Sequence, residues 1–185
     1  MVNRERDPAA TATAGAGTAA TAGAAFGIAA GVPDPELPMV TVADLGILRD
    51  VREDGDTVTV VVTPTYSGCP AMREIGHDLR RRLRDAGYRS VTVRTELSPP
   101  WTSDWITPAG RRKLADAGIV PPNRSAPKPP GRPIPLTLTA APQRVTCPRC
   151  GSADTRETAR FSGTACKALY RCEQCREPFE QVKEI

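Results

Sequence analysis

Cysteine chemistry dominates what this 185-residue sequence could do, and one of its six cysteines stands apart from the others. Cys69 follows the β-branched run at 57–63 and directly precedes Pro70, a pattern that predicts a strand, a break and then a helix beginning at the proline. Backbone N–H groups and the dipole at a helix N-terminus favour negative charge, so we expect a lowered pKa for the Cys69 thiol. Such a thiol would be a nucleophile or a metal ligand; the alternative is a small buried apolar side chain.

The remaining cysteines lie near the end of the chain. Four of them form two C-x-x-C pairs, Cys147/Cys150 and Cys172/Cys175. A hairpin with strands near 156–161 and 167–171 would bring four thiolates into a tetrahedral set that suits structural zinc, with an iron–sulfur cluster as the rival. Cys166 is a fifth thiol, either packed against this hairpin or an alternative ligand. Because so short a segment holds little apolar material, we expect the metal to supply much of its stability.

Two carboxylates lie in the proline-rich turn VPDPELP at 32–38. The prolines on either side hold Asp34 and Glu36 in extended positions. Such a pair could supply metal ligands or a general base. The commoner outcome is a helix cap or a solvated turn.

The elements that must position these residues form a ββαβ pattern. LGILRDV at 45–51 and the run at 57–63 are predicted strands joined at Asp54-Gly55-Asp56, and residues 88–97 form a third. Between them, apolar residues at helical spacing predict a helix from Pro70 to Gly87, and a short helix is expected near Thr21. The arginines opposite the apolar face of the long helix predict a solvated surface, and binding of an acidic partner, a phosphate or RNA there is the alternative.

A second group of elements follows the third strand. Trp101 and Trp105 are expected to cover the sheet rather than to bind a ligand. Thr107 or one of its neighbours is the predicted N-cap of a short helix that stops at Gly118. The predicted division is a low-complexity tail at 1–20, an α+β domain at 21–120, a proline-rich linker at 121–144 and the four-cysteine module at 145–185.

Composition narrows the class of protein. The net charge of +4 and the pI near 8.9 do not require a nucleic-acid or membrane partner, and nucleic-acid binding is disfavoured further by scarce aromatic residues. Neither a secretory signal nor an apolar run of about 20 residues is present, which predicts a soluble cytoplasmic protein with reduced thiols. The sequence has one histidine, His77, eight residues beyond Cys69 and about 12 Å away along a continuous helix. A Cys–His hydrolase is therefore not expected, nor is a di-iron oxygenase that needs Glu-x-x-His pairs.

Several motifs resemble a known family. DPELP at 34–38, DLGI at 44–47 and TPTYSGCP at 63–70 look like the MIP18-like family, also called domain of unknown function 59. PPWTSDWIT at 99–107, GIVPP at 118–122 and ACKALYRC at 165–172 are similar to the D (or J) subunits of bacterial phenylacetyl-CoA oxygenase, a ring 1,2-epoxidase system. The resemblance implies a small MIP18-like domain, with a mixed β-sheet packed by helices, followed by a zinc-ribbon-like hairpin.

The same resemblance implies a function. Members of this family are associated with iron–sulfur cluster assembly, and the cysteine that matches Cys69 is thought to handle a metal or cluster transiently, with Asp34 and Glu36 in the family signature. The implied role is an accessory or maturation subunit in phenylacetate degradation, without catalysis of its own. Its partners would be the di-iron and reductase subunits, and it would form a homodimer as family members of this size commonly do. The alternative is a structural subunit that holds the oxygenase together.

Overall fold

The computed structural model describes residues 23–123 and 145–184. The predicted tail at 1–20 and most of the predicted linker at 121–144 lie outside these ranges. The described part combines helices with two separate sheets, which confirms the predicted α+β class.

The first sheet has three strands in the order β1-β2-β3. The elements of this half are α1 (Ala24–Ala30), β1 (Leu48–Asp54), β2 (Thr57–Val62), α2 (Ala71–Asp85) and β3 (Ser90–Thr95). Strands β1 and β2 are antiparallel, and Gly55, at a φ of 57°, provides the left-handed turn between them. Strand β3 is parallel to β2, since α2 carries the chain back across the sheet, so the sheet is mixed as predicted.

Helix α2 buries its apolar face in the core. Ile75, Leu79 and Leu83 recur at helical spacing and are almost fully buried with the inward valines of β2. His77, on the opposite face, is exposed, as predicted. Pro70 is the N-cap rather than the first helical residue, which moves the helix start one position beyond the prediction.

The segment after β3 packs against the loop at 44–47 that precedes β1. Trp101 is buried and its indole N–H donates to the Leu45 carbonyl at 2.9 Å, so it covers the core as expected. Thr107 caps α3 (Pro108–Asp116) by accepting from the Gly110 N–H at 2.9 Å. Gly46 adopts a φ of 70°, and a Cβ there would lie 2.6 Å from Trp105. Glycine at this position therefore lets the loop approach Trp105 closely.

The second sheet joins the two predicted domains. Its strand order is β4-β7-β6-β5, formed by Ile119–Val120, Pro178–Val182, Lys167–Cys172 and Thr155–Ala159. The β5–β6 hairpin corresponds to the predicted one, whereas β7 and β4 were not predicted. Strand β4 belongs to the first half of the chain and runs parallel to β7, and Val182 at the end of β7 packs in the first core. The hairpin is thus one part of a sheet shared with the preceding domain.

Candidate metal centres

The four-cysteine site lies at one end of the β5–β6 hairpin. Each C-x-x-C turn ends in a left-handed residue, Gly151 at a φ of 73° and Arg176 at a φ of 65°. Two similar turns thereby face each other. The Sγ atoms are 3.7 Å apart for Cys147 and Cys175 and 3.5 Å apart for Cys150 and Cys172, and all four lie within 4.8 Å of one another.

These spacings fit a single tetrahedral ion. Sulfurs held about 2.3 Å from a zinc ion at tetrahedral angles are about 3.8 Å apart, close to the two distances observed. A cluster places several iron and sulfide atoms between the thiolates and needs a wider set. The Cys175 N–H also donates to the Cys172 Sγ, 3.4 Å away. Hydrogen bonds of this kind orient the ligands of a metal ion. Cys147, Cys150, Cys172 and Cys175 would hold the ion, and its chemistry there is structural.

The pKa values of these thiols also indicate a site that a cation would stabilise. The Cys175 N–H, despite the opposing effect of burial, lowers the pKa of Cys172 to about 7. The Glu177 N–H favours a Cys175 thiolate, but burial and the three neighbouring thiols together raise the pKa of Cys175 to about 12. Cys172 therefore forms a thiolate more easily than Cys175, where like charges at this spacing repel. A divalent ion removes that repulsion.

Cys69 lies immediately before α2, half-buried in the first core. Its own N–H donates to the Tyr66 carbonyl at 3.1 Å, and its carbonyl accepts from the Met72 N–H at 3.3 Å. The prediction of a lowered pKa is wrong. Burial raises the pKa of the Cys69 thiol, and the charges of Glu36 and Asp34 add to it, outweighing the N–H groups of Ala71 and Met72 that favour the thiolate.

Asp34 and Glu36 have different surroundings. Asp34 is buried, and its Oδ1 accepts from the Glu36 N–H at 2.8 Å and from the Leu37 N–H at 2.9 Å, so this carboxylate holds the turn together. Burial still raises the pKa of Asp34. Burial and the neighbouring Asp34 charge also raise the pKa of Glu36. Asp34 thus caps backbone N–H groups of its own turn, and Glu36 lies nearer the thiols.

A small cavity of about 20 Å³ joins these groups. Its lining includes Asp34, Glu36, Cys69, Trp101, Cys166 and Lys183. Cys166 therefore lies away from the four-cysteine set and lines the cavity of Cys69, with its Sγ 3.9 Å from the Glu36 Oε2. No sequence signal could have placed it there, because Cys166 and Glu36 are 130 residues apart and belong to different predicted domains.

The sequence also did not indicate Tyr66 and Lys183 as residues of this site. The Tyr66 hydroxyl lies beside the Cys69 thiol, and its pKa is raised by burial and by the Cys69 charge. Lys183 donates to the Ala165 carbonyl at 2.8 Å and lies over the Phe161 ring, 3.9 Å from its centroid. Among the described residues, the four cysteines at 147–175 are the group already at metal-ligand spacing.

Within 23–123 and 145–184, no helix has the length and apolar content needed to cross a membrane.

The fold and these sites define a two-part protein, in which an α+β domain with a half-buried thiol is joined to a four-cysteine ribbon. Residues 30–94 match the family model described as iron–sulfur cluster assembly protein, and residues 132–183 match the PaaD zinc beta ribbon domain. The chain is 42% identical over 154 residues to an Escherichia coli strain K12 protein named as the D subunit of 1,2-phenylacetyl-CoA epoxidase, covering 83% of this chain and 87% of that one. The chain therefore belongs to the PaaD family, that of the D subunits of 1,2-phenylacetyl-CoA epoxidase.

A solved structure is also similar. The crystal structure of a domain of unknown function DUF59 from Bacillus anthracis is 26% identical, with a TM-score of 0.45, over 49% of this chain and 87% of that one.

Proposed function

We propose that this protein is an accessory, maturation subunit of a multicomponent phenylacetyl-CoA epoxidase, and that it carries iron or an iron–sulfur cluster at Cys69. The observation that carries the proposal is the cavity lined by Cys69, Glu36 and Trp101. Thiolate and carboxylate are ligands that iron accepts. The proposed role involves no catalysis by this protein, and the exposed position of His77, the one histidine of the sequence, supports it because a Cys–His pair with Cys69 is then not formed.

The proposal divides the labour between the two metal centres. The four-cysteine site is closed and structural, whereas the Cys69 site is open to an incoming cargo. The protein acts in the cytoplasm, where unpaired thiols stay reduced, and its partners are the di-iron and reductase subunits of the epoxidase. A homodimer is part of the same proposal.

Metal and sulfide analysis tests this function. Wild type, Cys69→Ser and the matched control Ser67→Ala, in the same loop, are purified without oxygen. We expect one zinc per chain in all three, and iron, with or without sulfide, in wild type and Ser67→Ala but not in Cys69→Ser. Iron unchanged by Cys69→Ser would contradict the proposal. In cells, Cys69→Ser should leave the protein folded and abolish epoxidase assembly, and full epoxidase activity with this variant would contradict a maturation role.

A structural subunit is the second candidate. Leu97 and Phe161 are large apolar side chains with 58% and 62% of their surface exposed, and such residues can contact a partner. This function predicts stable co-purification with the epoxidase and tolerance of Cys69→Ser. Replacing Leu97 by Asp should then release the protein from the complex while iron content stays unchanged.

A further inference from the structure

Cys166 comes from the ribbon, yet it faces the other module. It directly precedes β6, it is 9% exposed, and it lines the cavity that also holds Cys69 and Glu36. The Thr164 hydroxyl lies 3.1 Å from its Sγ and fixes the side chain from the ribbon side. The thiol is therefore held at the junction of the two modules.

The distance from Cys166 to Glu36 is informative. The 3.9 Å between Sγ and Oε2 is long for a strong hydrogen bond. A sulfur at about 2.3 Å and an oxygen at about 2.1 Å from one tetrahedral ion are about 3.6 Å apart. These two atoms therefore lie close to the separation of two ligands on one ion, whereas the Cys69 Sγ lies more than 4.8 Å from at least one of them and would approach when the ion binds.

We propose that Cys166 is a second thiolate ligand of the cargo site, so that the site consists of Cys69 and Glu36 from the first module and Cys166 from the ribbon. This inference rests on the proposed function and specifies the site in it. Asp34 is not needed as a ligand, because it already accepts two backbone N–H groups. The ligand is a single thiophilic divalent ion such as Fe²⁺, because a cavity of about 20 Å³ has room for about one water-sized particle.

The nearby cations are already engaged elsewhere. Lys167 forms an ion pair with Glu180 at 2.8 Å, and Lys183 donates to a backbone carbonyl. Neither ammonium group has a direct ion pair with Glu36 among the described contacts. The carboxylate therefore remains available to a metal ion.

Strand β6 links the two metal sites. Cys166 precedes its first residue, and Cys172, a ligand of the ribbon site, is its last. Six residues at about 3.3 Å each place the two ends about 20 Å apart. The ribbon ion fixes one end of this strand, and the strand then positions the Cys166 thiol at the cavity.

Cobalt binding to the full-length, zinc-loaded protein tests the inference. The thiolate-to-cobalt charge-transfer band grows with the number of thiolate ligands, and zinc released from the ribbon is measured in parallel. We expect wild type to bind one Co²⁺ with a two-thiolate band while it retains its zinc. Cys166→Ser and Cys69→Ser should each halve the band and weaken binding at least tenfold. Ala165→Ser, which adds a hydroxyl one residue away, should behave as wild type.

Each result has one meaning. Glu36→Gln should weaken Co²⁺ binding and leave the charge-transfer band at two-thiolate intensity. This result would distinguish the loss of one ligand from a fold defect. A halved band in this variant would contradict the inference. A band and affinity unchanged by Cys166→Ser would overturn it and leave the proposed function standing, provided that binding still depends on Cys69. Binding that is independent of Cys69 would contradict both. No Co²⁺ uptake by zinc-retaining wild type would overturn the inference, while the iron analysis of Cys69→Ser would still decide the proposed function.

Discussion

Removing the ribbon metal should destabilise the first domain as well as the ribbon. Val182, at the end of β7, is 4% exposed and packs in the core of the first half. Strand β7 also pairs with β4, which continues from α3 through Gly118. If β6 and β7 separate when the four thiolates lose their ion, this packing and pairing are lost together.

The size of the effect follows from the contacts. Exposing a buried valine side chain costs about 1.5–3 kcal/mol, and the β4–β7 backbone pairing adds a smaller amount. We therefore expect the free energy of unfolding of the first domain to fall by about 2–3 kcal/mol. For a domain of this size the melting temperature should fall by about 10–20 °C.

Amide hydrogen exchange measures this directly. Helix α2 lies outside the ribbon, so its amides report on the first domain alone. We expect faster exchange in α2 after chelation or in Cys172→Ser. Val182→Ala should produce a similar loss, about 2 kcal/mol, with the metal retained, whereas the exposed Glu184→Ala should not. Unchanged exchange in α2 after complete metal removal would refute the argument that the modules share a core.

Three further predictions concern single residues. Cys69 should be alkylated slowly near neutral pH because its thiol pKa is raised, and Glu36→Gln should lower that pKa and speed alkylation, as measured by mass spectrometry; an unchanged rate would contradict the charge effect. The raised pKa of Asp34 means that the stability of the wild type falls as pH rises above about 3.8 through the folded-state pKa. Asp34→Asn should therefore gain stability relative to wild type as pH rises above about 3.8 in urea titrations, and a constant difference would refute this. Trp101→Phe should cost about 1–2 kcal/mol because the buried Leu45 carbonyl loses its donor, and a urea midpoint equal to wild type would contradict that estimate.

Local signals in the sequence predicted the local structure. Asp54-Gly55-Asp56 indicated the β1–β2 hairpin, and the spacing of Ile75, Leu79 and Leu83 indicated α2 and its buried face. The two C-x-x-C pairs indicated the ribbon site for the same reason, since each pair lies within one turn.

The features that the sequence did not predict depend on contacts between residues far apart in the chain. The pKa of Cys69 depends on burial and on Glu36, which precedes it by more than thirty residues, and these outweigh the helix N-terminus that the sequence shows. Strand β4 is two residues long, too short for any periodicity to reveal its pairing with β7. Cys166 could be assigned neither to the ribbon site nor to the cavity until the modules were seen together.

The β4–β7 pairing also covers one edge of the β5–β6–β7 ribbon. A strand at the edge of a sheet offers unpaired N–H and C=O groups to other chains, and natural proteins cover such edges. In this fold Ile119 and Val120 cover part of the outer side of β7, and β6 covers the other side. A fragment that starts at residue 145 would leave that side open along a strand containing Phe179 and Val182. Strand β4 of the first domain thus prevents a second copy of the chain from pairing with that side of β7.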